Sequence, residues 1–317
     1  MSKNLHITRW IDETQTNIQE VEEKLKNIKD DLGNSNDFKR YVNWSVENKF
    51  TNKDIFNGKE INYSLFTFSV DIISVGKSLD DEDSVSKNNG FIIVYEYLGN
   101  VRYIINRNSG AMAILRKMLG YTGKSEITIS QLPFTADVFI WLISKIYTKQ
   151  NNLECGSEYL SDLTINSIRG FKGDTEDSLN TIKAKGESLI NITSTLSFLI
   201  ESKNLNQINI DLEYKNHKNI DVVLNNQNNI ILSEDKYIGE FIDKPYYERI
   251  AKVIFTLYNE IFPIISQNYQ NDIESNIWSN DKCVDFLQQV ADDLSVRVEN
   301  RIKELRERPE QLKITLN

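Results

Sequence analysis

Apolar residues recur along the chain at two spacings, and the two spacings predict different elements. Steps of three and four residues are typical of amphipathic helices, whereas short runs of β-branched and aromatic residues between turn residues are typical of strands. The helical spacing predicts a long first helix over residues 7–32, whose narrow apolar seam needs a second long helix or a second subunit to cover it. The same spacing predicts further helices over residues 109–119, 134–148, 246–269 and 281–307.

Strand signals occupy segments between these helices. Residues 61–76 and the segment LTINSIRG, residues 163–170, are each predicted to form a strand. Residues 91–106 predict a hairpin with its turn at Gly99-Asn100. Residues 206–241 predict three consecutive strands joined by Asn-rich turns. We therefore predict an α+β fold, with mixed or antiparallel sheets and long flanking helices.

The chain is predicted to divide into two parts, because the segment NNLECGSEY at residues 151–159 interrupts the apolar pattern. Residues 1–155 are predicted to form an N-terminal α+β domain that contains the long first helix. Residues 156–317 are predicted to form an antiparallel sheet with two covering helices. In this arrangement the first and last helices pair with each other or form the seam of a dimer.

The acidic composition limits how the chain can contact nucleic acid. The 317 residues carry a formal net charge of −9. A protein that binds DNA through its whole surface usually has the opposite sign of charge. Any nucleic-acid contact must therefore come from a local basic patch, a metal ion or a partner subunit.

The termini and the cysteines predict a cytoplasmic protein. The N-terminal segment MSKNLHITRWIDE carries charges where a signal peptide needs an apolar region. No apolar run reaches the roughly 18 residues of a transmembrane span. Cys155 and Cys283 are predicted to be reduced thiols, and with two histidines in the chain no zinc site is predicted.

One set of acidic and lysine residues has the order used by metal-dependent nucleases of the PD-(D/E)XK class. Such an enzyme needs two acids to hold Mg²⁺ and a lysine to stabilise charge or orient water. In NIDVVLNNQNNIILSEDK, Asp221 lies on one predicted strand, and Glu234 and Lys236 share a face of the next. Asp235 departs from the class, because that position is normally apolar or small. The same residues also fit the solvated face of an ordinary antiparallel sheet.

A second set of residues combines glycines with positive charge. Gly170, Gly173 and Gly186 alternate with four basic residues, which are Arg169, Lys172, Lys183 and Lys185. Flexible backbone beside positive charge suits contact with an anion or a phosphate backbone. The alternative is a charged surface turn that is balanced by the acids of residues 174–177.

The C-terminal half resembles two groups of phage-defence proteins. The segments RGFKGDTED, KAKGES and DLEYK, in that order, are similar to the second half of phage-exclusion proteins of the RexA type. The hairpin IDVVLNNQNNIILSEDKYIGEF is similar to part of the Kiwa-system protein KwaB. The resemblance covers residues 163–241. It implies a cytoplasmic, oligomeric effector of phage defence that binds DNA without being an established enzyme.

These observations leave three functions open. The first is a prokaryotic antiphage defence protein that acts as a nucleic-acid-binding effector or sensor subunit, without a cofactor and with Arg169, Lys172, Lys183 and Lys185 as contacts. The second is a Mg²⁺-dependent nuclease of a defence system that uses Asp221, Glu234 and Lys236. The third is a non-catalytic scaffold whose terminal helices bind a partner protein. The expected partners are DNA or RNA, together with further copies of the chain or a protein of the same operon.

Overall fold

A computed structural model describes most of the chain, and the descriptions below concern those residues. They are residues 4–30, 39–74, 84–123, 125–154, 163–174, 181–185 and 204–307. For residues 174, 181–185 and 204 the backbone alone is described. The predicted boundary segment overlaps residues 155–162, which lie outside this part, so the predicted division into two domains stays a prediction.

Twelve described strands form one sheet, and all the pairings between them are antiparallel. The strands are β1 (Asn4–Asp12), β2 (Lys39–Phe56), β3 (Lys59–Ser74), β4 (Ser84–Tyr97), β5 (Asn100–Ile105), β6 (Ile127–Ile129), β7 (Asn152–Leu153), β8 (Leu163–Asp174), β9 (Thr181–Lys185), β10 (Asn204–Tyr214), β11 (His217–Asn225) and β12 (Asn229–Ser233). Their order is β2-β3-β4-β5-β1-β12-β11-β10-β8-β7, with β6 beside β1 and β9 beside β8. Together with the helices described below, this sheet confirms the predicted α+β class.

The central strand β1 corrects the prediction of a long first helix. Residues 4–12 are extended and pair with β5 on one side and β12 on the other. Leu5 and Ile7 face one hydrophobic core and Trp10 faces the other, because neighbouring side chains of a strand point to opposite faces. The first helix, α1, covers Ile18–Lys26 and begins at Asn17, whose side chain accepts a hydrogen bond from the Gln19 backbone N–H.

The two faces of the sheet bury different sets of helices. On one face, α1 and α2 (Ala111–Leu119) cover the N-terminal strands. On the other face lie α3 (Ala136–Tyr147) and a long helical segment. That segment consists of α4 (Tyr246–Thr256), a π-helical turn (Leu257–Ile261) and α5 (Phe262–Glu274). The π-helical turn ends two residues before Pro263.

Glu260, in the π-helical turn, connects two hairpins that lie far apart in the strand order. Its carboxylate accepts a hydrogen bond from the backbone N–H of Asn57, in the β2–β3 turn, at 2.9 Å. The other carboxylate oxygen binds the ammonium of Lys215, in the β10–β11 turn, at 2.8 Å. The sheet therefore curves around the helical segment, and the buried carboxylate of Glu260 contacts both the β2–β3 hairpin and the β10–β11 hairpin.

The last helix, α6, covers Asn280–Glu307 and packs against α3, where the ring of Tyr147 meets Phe286 edge to face. The predicted pairing of the first and last helices is therefore wrong for the described residues, because α1 packs against α2 and β4. None of the described helices is both long enough and apolar enough to span a membrane.

Candidate functional site

A row of polar side chains crosses five neighbouring strands on the face opposite the α3–α5 core. The register pairs Ser167 of β8 with Asp211 of β10, and Asp211 with Asp221 of β11. The row continues through Ser233 of β12, which the register pairs with Asn4 of β1. Because residues opposite each other in antiparallel strands share a face, these five positions form one continuous row of polar side chains.

Two buried carboxylates occupy the middle of this row. Asp211 is 3% exposed and Asp221 is fully buried. Like charges directly opposite each other destabilise a sheet, and a buried carboxylate needs a partner of opposite charge. The fold supplies two cations and two hydroxyl groups, one of each for each acid.

Arg169 neutralises Asp211 from an irregular position in β8. Asn209 pairs with Gly170 and Ile210 pairs with Ile168, so Arg169 is the extra residue of a β-bulge. A bulge redirects a side chain, and the Arg169 Nε donates to the Asp211 Oδ2. The same nitrogen lies 3.7 Å from the Asp221 Oδ2. The hydroxyl of Ser167 also donates to the Asp211 Oδ2, at 2.5 Å.

Lys236 neutralises Asp221, as Arg169 neutralises Asp211. Its ammonium lies 2.8 Å from the Asp221 Oδ2, and the Ser233 hydroxyl donates to Oδ1 at 2.5 Å. Lys236 reaches the acid from a 3₁₀ turn, Glu234–Lys236, that directly follows β12. The side-chain amide of Asn219 fixes this turn by donating to the Lys236 carbonyl at 2.6 Å.

The structure brings together two of the three residues predicted for a nuclease site. Asp221 and Lys236 are in contact, but Glu234 accepts a hydrogen bond from the Arg249 Nη2 at 2.7 Å. The prediction that Glu234 and Lys236 share a strand face is wrong, because both lie in the 3₁₀ turn. Asp235 is exposed, which such a turn allows and a strand in a sheet buried on both faces would not. The second acid beside Asp221 is instead Asp211.

One carboxylate oxygen of the pair has no hydrogen-bond partner among the described residues. This atom is the Asp211 Oδ1, and it is buried. The side-chain oxygen of Asn209, two residues earlier on β10, is also buried without such a partner. Unsatisfied buried oxygens are costly, and a carboxylate oxygen is the ligand type that Mg²⁺ prefers. Among the described residues no group of three or more His, Cys, Asp and Glu side chains is placed to hold one metal ion.

The predicted basic residues divide between two environments. Arg169 contacts the two buried acids, as described above. Lys172 pairs with Lys183 across the β8–β9 ladder, and Gly170 pairs with Lys185. The Cα atoms of such partners lie about 5 Å apart. Three lysine positions therefore lie together on one hairpin.

His217, the first residue of β11, is buried. Its Nδ1 lies 2.8 Å from the Tyr237 hydroxyl, and its ring packs on Phe241. Burial lowers the pKa of His217 below its ordinary value of 6.5, against the opposing effect of the nearby acids Glu240 and Glu260.

A scan against protein-family models and a search of curated proteins found no match for this chain.

The site residues that sequence reasoning missed are Asp211, Ser167 and Ser233. Each lies at a polar position of a predicted strand, so alternation alone could have placed it on the solvated face. Their convergence depends on the register between strands, and two bulges in β8 shift that register. No signal in the sequence marks those bulges.

Proposed function

We propose that this protein binds nucleic acid through the hairpin of β8 and β9, with Lys172, Lys183 and Lys185 as contacts to the phosphate backbone. The observation that carries the proposal is the register of the hairpin, which places Lys172 directly opposite Lys183. Two lysines at facing positions repel each other. A bound phosphate removes this repulsion and gains two charge-assisted contacts.

The neighbouring strand supports the same proposal. On β10, which pairs with β8, the residue opposite Lys172 is Gln207 and the residue opposite Gly170 is Asn209. The described register therefore places amides on β10 opposite Lys172 and Gly170, while the acid of the hairpin itself is Asp174, at the end of β8. The positive charge is local, as the net charge of −9 requires of any nucleic-acid contact.

The resemblance of residues 163–241 to phage-exclusion and Kiwa proteins supplies the proposed setting. In this setting the protein is a subunit of a prokaryotic antiphage system, in which it acts as an effector or a sensor of DNA or RNA. Arg169 then has a positioning role, because it neutralises Asp211 and Asp221 on the neighbouring strands β10 and β11 and reduces their repulsion of the phosphates.

Charge reversal tests the proposal. The variant with Lys183→Glu and Lys185→Glu should bind fluorescent DNA and RNA roughly tenfold more weakly in an anisotropy titration. The matched control carries Lys87→Glu and Lys282→Glu, two exposed lysines on β4 and α6, and has the same net charge. Equal affinities of the two double variants would show that net charge, and not the hairpin, controls binding.

A second candidate function is a Mg²⁺-dependent nuclease, and three observations favour it. Lys236 contacts Asp221, a second buried acid lies opposite, and the Asp211 Oδ1 has no hydrogen-bond partner among the described residues. Asp211 and Asp221 would hold the metal, which would supply Lewis acidity toward a phosphodiester. Lys236 would provide positive charge beside the scissile phosphate.

Plasmid cleavage distinguishes this candidate from simple binding. If the acid pair forms the centre, Asp211→Asn and Asp221→Asn abolish Mg²⁺-dependent nicking, whereas Glu234→Gln keeps it. Loss of activity in Glu234→Gln alone would instead favour the arrangement predicted from the sequence. Absence of nicking by the wild-type protein would exclude the nuclease candidate.

A further inference from the structure

The C-terminal half of α6 exposes apolar side chains that a free helix would not be expected to carry. The N-terminal half is anchored, since Phe286 and Val290 are buried. Beyond Val290, Val296 is 55% exposed, Val298 is 45% exposed and Leu305 is 52% exposed. Exposed apolar residues clustered on one element indicate an interaction surface.

Val298 and Leu305 belong to a heptad spacing along α6, whereas Val296 lies outside it. Steps of three and four connect positions from the start of the helix almost to its end, which are Val284, Leu287, Ala291, Leu294, Val298, Arg301 and Leu305. This alternation is typical of a helix that packs along a second helix as a coiled coil. Arg301 is the one charged residue in the seam.

We propose that the C-terminal half of α6 forms an antiparallel coiled coil with the same helix of a second copy of this chain. Arg301 decides the orientation. In a parallel pair, equivalent residues face each other, so Arg301 would meet the partner's Arg301 within the seam. In an antiparallel pair, Arg301 packs beside the partner's Val298, and its head group stays with Glu304 of its own helix, which it contacts at 2.8 Å.

The flanking charges select one antiparallel register. When Leu294 packs against the partner's Leu305, Arg297 lies beside the partner's Glu304. The twofold symmetry of the dimer gives a second, equivalent ion pair. A shift by one heptad in one direction would place Arg297 beside the partner's Arg297. A shift in the other direction would place Glu304 beside the partner's Glu304. Only the proposed register pairs opposite charges.

The proposed register also keeps the overlap within the projecting part of the helix. Residues 292–307 would pair with the same residues of the partner, over a length of about 24 Å. This segment follows Val290, the last fully buried residue of α6. The interface is short, so we expect a dimer that dissociates on dilution. The inference is independent of the proposed nucleic-acid binding.

Sedimentation equilibrium of the full chain tests the inference. The wild-type protein should form a concentration-dependent dimer, and Val298→Glu or Leu305→Glu should weaken it at least about tenfold. The control is Val85→Glu, at a valine of β4 that is 64% exposed, and it should dimerise like the wild type. A wild-type monomer at high concentration, or a dimer that Val298→Glu leaves unchanged, would overturn the inference.

A charge exchange tests the register. Arg297→Glu should weaken the dimer roughly tenfold by placing two acids side by side. Adding Glu304→Arg to that variant restores opposite charges across the interface but removes the acid that contacts Arg301, so it should restore part of the affinity. If the double variant dimerises no better than Arg297→Glu, the proposed antiparallel register is wrong. Circular dichroism of each variant would confirm that the fold is retained.

Discussion

At the scale of single residues, Asp211 and Asp221 place two negative charges opposite each other inside a sheet. The arrangement is possible because a bulge directs Arg169 to one acid and a 3₁₀ turn directs Lys236 to the other. The four groups form a neutral cluster with two serine hydroxyls. Removing one member leaves the others with uncompensated charge, which makes each of them sensitive to substitution.

Asp221→Ala is predicted to destabilise the protein by roughly 2–3 kcal/mol. This value is below that of a fully buried ion pair, because the side chains of Lys236 and Arg169 are 36% and 34% exposed, so that water reduces the cost of leaving them unpaired. Urea unfolding would measure the effect. Asp243→Ala, at an exposed acid, is the control and should change stability by less than about 0.5 kcal/mol. Equal effects of the two substitutions would contradict the stabilising role of the cluster.

His217 is predicted to make stability depend on pH. Its pKa in the folded protein lies below the 6.5 of the unfolded chain, because burial opposes its protonation. Below pH 6.5 the unfolded chain therefore binds more protons than the folded protein, so stability is lost as the pH falls. Between pH 7 and 5.5, urea midpoints of His217→Gln should fall less steeply than those of the wild type. A wild-type slope in His217→Gln would refute the assignment.

At the scale of elements, the π-helical turn determines where Glu260 lies. The wider turn inserts one residue relative to an α-helix, and such insertions often occur at functional or structural contacts. Here the turn presents Glu260 to Asn57 and Lys215 together, so two remote hairpins share one acid.

Glu260→Ala should therefore cost about 2 kcal/mol, because it leaves a backbone N–H and an ammonium without their acceptor. Glu260→Gln keeps an oxygen for the Asn57 N–H and should cost about half as much. Glu274→Ala, at the exposed end of α5, is the control. Chemical unfolding followed by circular dichroism would rank the three variants, and a neutral Glu260→Ala would show that the hairpins do not depend on this contact.

The predictions from sequence succeeded where one pattern extended through a whole element. The strand at residues 61–76, the hairpin at 91–106 and the helices near 109–119, 134–148 and 281–307 are confirmed, with end shifts of a few residues. The predictions failed where one apolar spacing extended across two elements, and where an element is mostly exposed. The helical spacing ran from β1 into α1, and Tyr41, Val42 and Trp44 suggested a short helix, whereas they lie in the exposed edge strand β2.

The sequence predicted that carboxylates and a lysine meet in the candidate site, but it did not predict which residues these are. Asp221 and Lys236 were identified from the sequence and do meet. Glu234 was assigned to them by assuming that β12 continues, whereas the strand ends at Ser233. Asp211 replaces it because of cross-strand register, which follows from the turn and the bulges rather than from local spacing.

At the scale of the whole molecule, β1 connects the strands that precede residue 155 with those that follow it. It pairs with β5 and β12, so both predicted parts contribute to one sheet. The basic hairpin lies near the opposite end from β2. A net charge of −9 surrounds it, so binding should be local and strongly dependent on salt.

The salt dependence of nucleic-acid affinity tests the central proposal most directly. Dissociation constants of the wild type and of single Lys172→Ala, Lys183→Ala and Lys185→Ala variants would be measured between about 50 and 300 mM salt. The account predicts that each substitution weakens binding to all sequences alike and reduces the slope of log Kd against log salt by about 1. Unchanged slopes in all three variants, or no binding by the wild type at the lowest salt concentration, would contradict it.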